Sequence, residues 1–179
     1  MFLAAADAER AIADLQDQIT WQQHSIRMFG REIPEPRLVS WHGDPGANYR
    51  YSGRDNPPQP WPAALAELRE QVQAATGHAF NCVLANLYRH GADHMGWHAD
   101  DERELGPTIA ALSLGGVRRM QFRLRPNGPV ALDLPMPSGS LLVMAGDTQQ
   151  RYHHRIVKTA RDAPPRINLT FRWVELTRG

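Results

Sequence analysis

The chain of 179 residues is poor in cysteine, in lysine and in long apolar runs. Its one cysteine, Cys82, has no partner for an internal disulfide, and no cysteine cluster is present to hold zinc. Any metal is left to histidines and carboxylates. No run reaches the roughly 18 apolar residues that a membrane helix needs. Asp7 and Glu9 stand where a signal peptide would be basic and then apolar. A cytoplasmic protein with no membrane partner is expected. Hydrophobic residues at 42% and charged residues at 22% exclude intrinsic disorder, a collagen-like helix and a fibrous coiled coil. The length fits a single domain over residues 1–179 with a substantial core.

Lys158 is the only lysine, so nearly all positive charge is arginine. The net charge of +1 hides a division along the chain. Residues 1–116 carry nine Arg and fifteen acids, a net of −6, whereas residues 117–179 carry ten Arg, Lys158 and four acids, a net of +7. An arginine-rich composition alone does not establish a nucleic-acid surface.

Ala8, Ile12, Leu15 and Ile19 recur at helical spacing between acids, which predicts an amphipathic helix from Leu3 to about Thr20. A turn-rich stretch from Pro34 to Pro62 holds seven prolines and reads as a long functional loop. Leu65, Leu68 and Val72 predict a second helix from Pro62 to Ala75, with Gly77 as its stop. From Ala79 the pattern changes to short strands. They are expected at Asn81–Arg89, Thr108–Leu114, Val117–Arg125, Val130–Leu134, Ser140–Met144, His153–Lys158 and Arg166–Glu175, separated by Gly and Pro turn signals. Two helices before many short strands suggest an α+β sandwich or barrel with helices on one face.

His98 and Asp100 form an H-x-D pair, which in an extended segment points both side chains to one side. A third ligand must come from His153 or His154, the only histidines downstream. Two imidazoles and one carboxylate make the facial triad of non-haem Fe(II) oxygenases, which leaves positions open for cosubstrate and O₂. In the last strand Arg166, Asn168, Thr170 and Arg172 share one face, while Ile167, Leu169 and Phe171 share the other. Inward guanidiniums need an anion, and their fork matches a carboxylate. Asn86 and Tyr88 add polar groups shortly before the H-x-D pair.

These motifs resemble the AlkB family of Fe(II) and 2-oxoglutarate-dependent dioxygenases. The similarity runs over about residues 25–175 and rests on Asn86–Tyr88, His98–Glu102, Ser138–Met144, His154 and Arg166–Arg172. It implies a double-stranded β-helix, a cupin-like jelly roll. Residues 1–78 would supply N-terminal helices and a substrate lid, and residues 79–179 the catalytic core. It implies an iron site of His98, Asp100 and His154; His154 rather than His153 lies twelve residues before Arg166, as in similar chains. Arg166 would bind the distal carboxylate of 2-oxoglutarate, with Arg172, Asn86 and Tyr88 completing that pocket. Tyr49, Tyr51 and Ser52 would contact a flipped base. Asp101 and Glu102 would recognise it, since a carboxylate favours cationic 1-methyladenine and 3-methylcytosine over neutral bases. Phe29 falls in a segment similar to a duplex-wedging hairpin.

The activity so implied is oxidative dealkylation of nucleobases in DNA by a monomer, using Fe(II), 2-oxoglutarate and O₂ and releasing succinate, CO₂ and formaldehyde. Alternatives are an RNA demethylase or protein hydroxylase of the same chemistry, a non-catalytic nucleic-acid-binding module, and a zinc hydrolase. The complete set of ligands and arginines argues against the last two. Arg151, Arg155, Lys158, Arg161 and the outer arginines of the Val117 strand remain as candidates for phosphate contact.

Overall fold

The computed structural model describes residues 1–28, 30–51, 54–160 and 162–175, with side chains other than those of residues 27, 28, 49–51 and 54–56. Among them, no helix is long and apolar enough to cross a membrane. Both expected helices are present. Helix α1 (Ala5–Gln18) buries Ala8, Ala11 and Leu15, and helix α2 (Ala63–Thr76) buries Leu65, Leu68 and Val72. The second ends on Gly77 at φ 71°, a left-handed turn that glycine adopts without a side-chain clash.

Thirteen strands are described: β1 (Ser25–Met28), β2 (Arg31–Pro34), β3 (Leu38–Gly43), β4 (Tyr49–Tyr51), β5 (Arg54–Asn56), β6 (Cys82–Tyr88), β7 (Met95–His98), β8 (Ile109–Gly115), β9 (Arg118–Leu124), β10 (Val130–Met136), β11 (Ser140–Met144), β12 (Tyr152–Ile156) and β13 (Arg166–Arg172). A short helix, α3 (Thr148–Arg151), joins β11 to β12. One sheet runs β11-β8-β13-β6-β3 and the other β10-β9-β12-β7, with every neighbouring pair antiparallel. From β6 to β13 the chain crosses from sheet to sheet at every step except the β9–β10 hairpin, which makes the architecture a double-stranded β-helix.

Strand alternation separates two main parts of the core, beside a small third cluster of Trp41, Ala47, Cys82 and Val174. Ile167, Leu169 and Phe171 turn outward from β13 onto α1 and α2, together with Val83 and Ala85 of β6 and Leu112 and Leu114 of β8. Between the sheets lies a smaller cluster that includes Tyr88, Ile109, Phe122 and Ile156 with Met120, Met136 and Met144. Flexible methionines fill the irregular space that a polar site leaves beside it.

The Pro34–Pro62 stretch is not one irregular loop. It contains β3, which closes the edge of the larger sheet on β6 with Ser40 opposite Ala85, and the β4–β5 ladder with Tyr49 opposite Asn56. Val39 to Gly43 are all buried, so β3 lacks the alternation that marks a half-exposed strand. Strand β7 was likewise hidden, because only its pairing with β12 establishes it. Strands β1 and β2 pair with Met28 opposite Arg31, while Phe29 lies outside the described residues.

Gly115 seats the beginning of β13. It has φ +84°, and a side-chain carbon there would collide with the carbonyl of Pro165, the residue before Arg166. The Gly116 N–H donates to that carbonyl at 2.9 Å. This turn fixes where the inward face of β13 starts.

Candidate active site

His98 closes β7 and His154 lies in β12, directly opposite in the antiparallel ladder. Cross-strand partners project to the same face, so their rings lie side by side with centroids 4.2 Å apart. His153, one residue earlier, pairs with Arg123 and therefore faces away from this site. Asp100 follows β7, and its carboxylate oxygens stand 3.9 Å from Nε2 of His98 and 3.9 Å from Nε2 of His154. Those separations are too long for hydrogen bonds. They suit three ligands that share one ion, and among the described residues this is the one such cluster of three.

The protonation states agree with that use. His98 Nδ1 lies 2.8 Å from the Gly96 carbonyl, which can only accept, so Nδ1 carries the proton and Nε2 keeps its lone pair. Burial lowers the His98 imidazole below its ordinary range. Burial, followed by the His98 charge, brings His154 down to about 3. For Asp100, burial pushes the carboxyl up, but the Arg172 guanidinium and the two imidazoles outweigh it and hold it at about 2. At neutral pH the three groups are two free bases and one carboxylate, the forms a divalent cation binds. Arg172 Nη2 contacts Asp100 Oδ1 at 2.8 Å, leaving Oδ2 on the side of His154.

A cavity opens beside these ligands, where Asn86, Tyr88, Asn168, Thr170 and Arg172 of the larger sheet and Glu102 stand among apolar side chains such as Met95, Met120 and Ile156. Arg166 lies at the far end of β13, fully buried. Its Nη2 donates to Ser113 Oγ at 2.7 Å and to Asn168 Oδ1 at 2.8 Å, while its Nε and Nη1 have no acceptor among the described residues. Burial lowers this guanidinium to about 10, so it is still charged at neutral pH. A buried cation with two N–H groups unmatched fits a bound carboxylate. The Tyr88 ring lies between the Arg166 and Arg118 guanidiniums, at 5.4 and 5.8 Å, and burial raises its phenol.

Sequence reasoning missed Glu35 and Arg37. They form a buried ion pair at 2.9 Å, and Arg37 Nε donates to Asn86 Oδ1 at 3.0 Å. That bond occupies the Asn86 carbonyl, while the Asn86 NH₂ makes a long contact with the Leu84 carbonyl at 3.5 Å. Only the pairing of β3 with β6 brings Arg37 here, and its place among prolines concealed it.

The substrate candidates divide. Glu102 lines the cavity, but Asp101 turns to the surface, where Arg125 Nη1 meets its Oδ2 at 2.6 Å. Tyr49 and Tyr51 stand in β4, and Ser52 lies outside the described residues. On the outer face of the smaller sheet, Arg123 and Arg155 flank Trp97 at 4.6 and 4.4 Å, while Arg119 pairs with Asp133. Arg151 pairs with Asp147, and Arg161 lies outside the described residues.

A jelly roll holding two imidazoles and a carboxylate beside a buried guanidinium has the donor set of non-haem iron oxygenases that take a carboxylate cosubstrate. The chain belongs to the 2OG-Fe(II) oxygenase superfamily, whose family model matches residues 1–172. It is similar to the alpha-ketoglutarate-dependent dioxygenase alkB homolog 3 of Bos taurus, 37% identical over 97% of this chain and 64% of the relative. It is similar also to the human DNA oxidative demethylase ALKBH2, 37% identical over 97% of this chain and 71% of that one. The chain thus spans somewhat less than two thirds of the bovine relative. The solved structure of OsALKBH1 shares the fold, with a TM-score of 0.67 at 19% identity, covering 96% of this chain and 94% of that one.

Proposed function

We propose that this chain removes alkyl groups oxidatively from nucleobases in DNA, with 1-methyladenine and 3-methylcytosine as the type substrates. The observation that carries the proposal is the joint arrangement of His98, Asp100 and His154 beside the unmatched donors of Arg166. Support for the substrate class comes from relatives 37% identical that are named DNA oxidative demethylase.

His98, Asp100 and His154 would hold Fe(II), which with 2-oxoglutarate and O₂ supplies the oxidation of the N-alkyl carbon. Overall the reaction releases succinate, CO₂ and formaldehyde. Arg166 would bind the distal carboxylate of 2-oxoglutarate through its Nε and Nη1, and Asn86 lines the cavity beside it. Arg172 balances the Asp100 charge at Oδ1. Glu102 places a carboxylate in the cavity lining, where it would favour a cationic base. Tyr49 and Tyr51, opposite Asn56 and Arg54 in the β4–β5 ladder, are the proposed stacking residues. The base is extruded from its duplex to reach the cavity, and methylated cationic bases pair poorly, which lowers that cost. A monomer suffices, since one chain supplies every group named.

The test is incubation with Fe(II), 2-oxoglutarate and air of DNA and RNA oligonucleotides carrying 1-methyladenine, and of a methylated peptide, read by mass spectrometry. Loss of the methyl group from DNA, dependent on 2-oxoglutarate, is expected. Change confined to RNA or to the peptide moves the assignment to those substrates.

A further inference from the structure

We infer that Gln149 is a positioning residue for the Asp100 ligand, acting through the Asp100 backbone. The inference rests on the iron-site reading above and extends it to a residue outside the ligand set.

Strand β7 ends at His98, so Asp100 lies beyond the ladder that aligns the two histidines. Its buried N–H has no strand carbonyl to meet. Instead the Gln149 side chain enters from α3, and its Oε1 accepts that N–H at 3.0 Å. Gln149 is itself buried, and its Nε2 lies 3.5 Å from the Met144 sulfur, a weak contact that keeps the carbonyl end of the amide toward Asp100. A side-chain amide thus replaces the missing rung of the ladder.

The brace is held at its other end. Arg125 Nη1 donates to the Gln149 main-chain carbonyl at 2.8 Å and also meets Asp101 Oδ2 at 2.6 Å. Asp100 and Asp101 are therefore gripped on both sides by one connected set, with Gln149 inside and Arg125 outside. The Asp100 carboxylate has a competing attraction to Arg172 at 2.8 Å. Without a fixed backbone the carboxylate can follow Arg172 and leave the imidazoles. Gln149 prevents this by fixing the backbone from which the carboxylate projects. Groups that orient metal ligands commonly alter affinity by about 10- to 100-fold when removed.

The experiment compares Mn(II) binding by titration calorimetry in the unsubstituted protein, Gln149→Leu, Gln149→Glu and Arg125→Met, with thermal midpoints of each in the metal-free form. Leucine keeps the volume and removes the acceptor, while glutamate keeps a carbonyl facing Asp100. The expected result is a loss of about tenfold or more in Mn(II) affinity for Gln149→Leu, at least half of it in logarithmic terms recovered by Gln149→Glu, and a smaller loss for Arg125→Met. Unchanged affinity in Gln149→Leu, or equal losses in the leucine and glutamate variants, overturns the positioning role. If Gln149→Leu does not fold, the Glu and Arg125 variants decide: tenfold losses in the former with none in the latter overturn it, and the reverse order supports it. Failure of the unsubstituted protein to bind Mn(II) contradicts the iron site itself, an outcome distinct from these.

Discussion

His154 shows how a single residue ties stability to chemistry. Its imidazole sits at about 3 in the folded protein against an ordinary value of 6.5, so the unfolded chain takes up the proton first. Stability from keeping it neutral is therefore complete above about 6.5 and is lost as pH falls toward 3. His98 shifts in the same direction. The metal-free protein is expected to lose thermal stability between pH 7 and pH 5, with a smaller loss in His154→Leu; identical pH profiles of the two proteins would contradict this. Arg166 makes the opposite case. With two donors unmatched, its guanidinium costs the empty fold more than an apolar side chain would. Arg166→Met should weaken 2-oxoglutarate binding by more than about tenfold, the direction expected when a buried charge pair loses one partner, while leaving the thermal midpoint unchanged or raised. Binding measured by calorimetry and melting by fluorescence separate the two effects. Of these residues, His98, Asp100, His154 and Arg166 were legible as a pattern, because spacing and strand alternation show which side chains share one face. Asp101 and Glu102 were not separable in sequence: both are acids in one turn, and Arg125, distant in the chain, draws the first to the surface.

Among the elements, β13 carries both halves of the protein's design. One face packs Ile167, Leu169 and Phe171 on α1 and α2, and the other presents Asn168, Thr170 and Arg172 to the cavity and carries the buried Arg166. Phe171 is fully buried, so Phe171→Ala should cost about 3–5 kcal/mol by chemical denaturation. A cost below about 1 kcal/mol would show that the strand is held by something other than this packing. Strand β13 and helices α1 and α2 were readable because their periods, 2.0 and 3.6, run without interruption. Strands β3 and β7 were not. The first is buried on both faces and hemmed by prolines, and the second is four residues long; each owes its form to a partner far along the chain. The Gln149 brace was invisible for the same reason, since nothing local in α3 marks that glutamine as the acceptor for a ligand loop.

For the whole molecule, the opposed charges of the two chain segments acquire a spatial meaning. The acidic segment supplies Asp100 and Glu102 to the cavity, and the basic segment supplies Arg172 to it and the fully buried Arg166 on the same strand face. The surface arginines are partly neutralised, by Asp133 and Asp101, while Arg123 and Arg155 stack on Trp97. The bulk count thus overstated what is left for phosphates, and the ion pairs responsible could not be read from a linear sequence. As proposed above, one cavity would couple 2-oxoglutarate turnover to removal of an N-alkyl group from a DNA base. The most direct measurement is the yield of formaldehyde and succinate from a DNA oligonucleotide carrying 3-methylcytosine, alongside the mass of that oligonucleotide. Formaldehyde is expected in an amount equal to the methyl groups lost, with succinate at least matching it, and neither product from His154→Ala. Succinate formed with no methyl group lost, or methyl groups lost equally by His154→Ala, would contradict it.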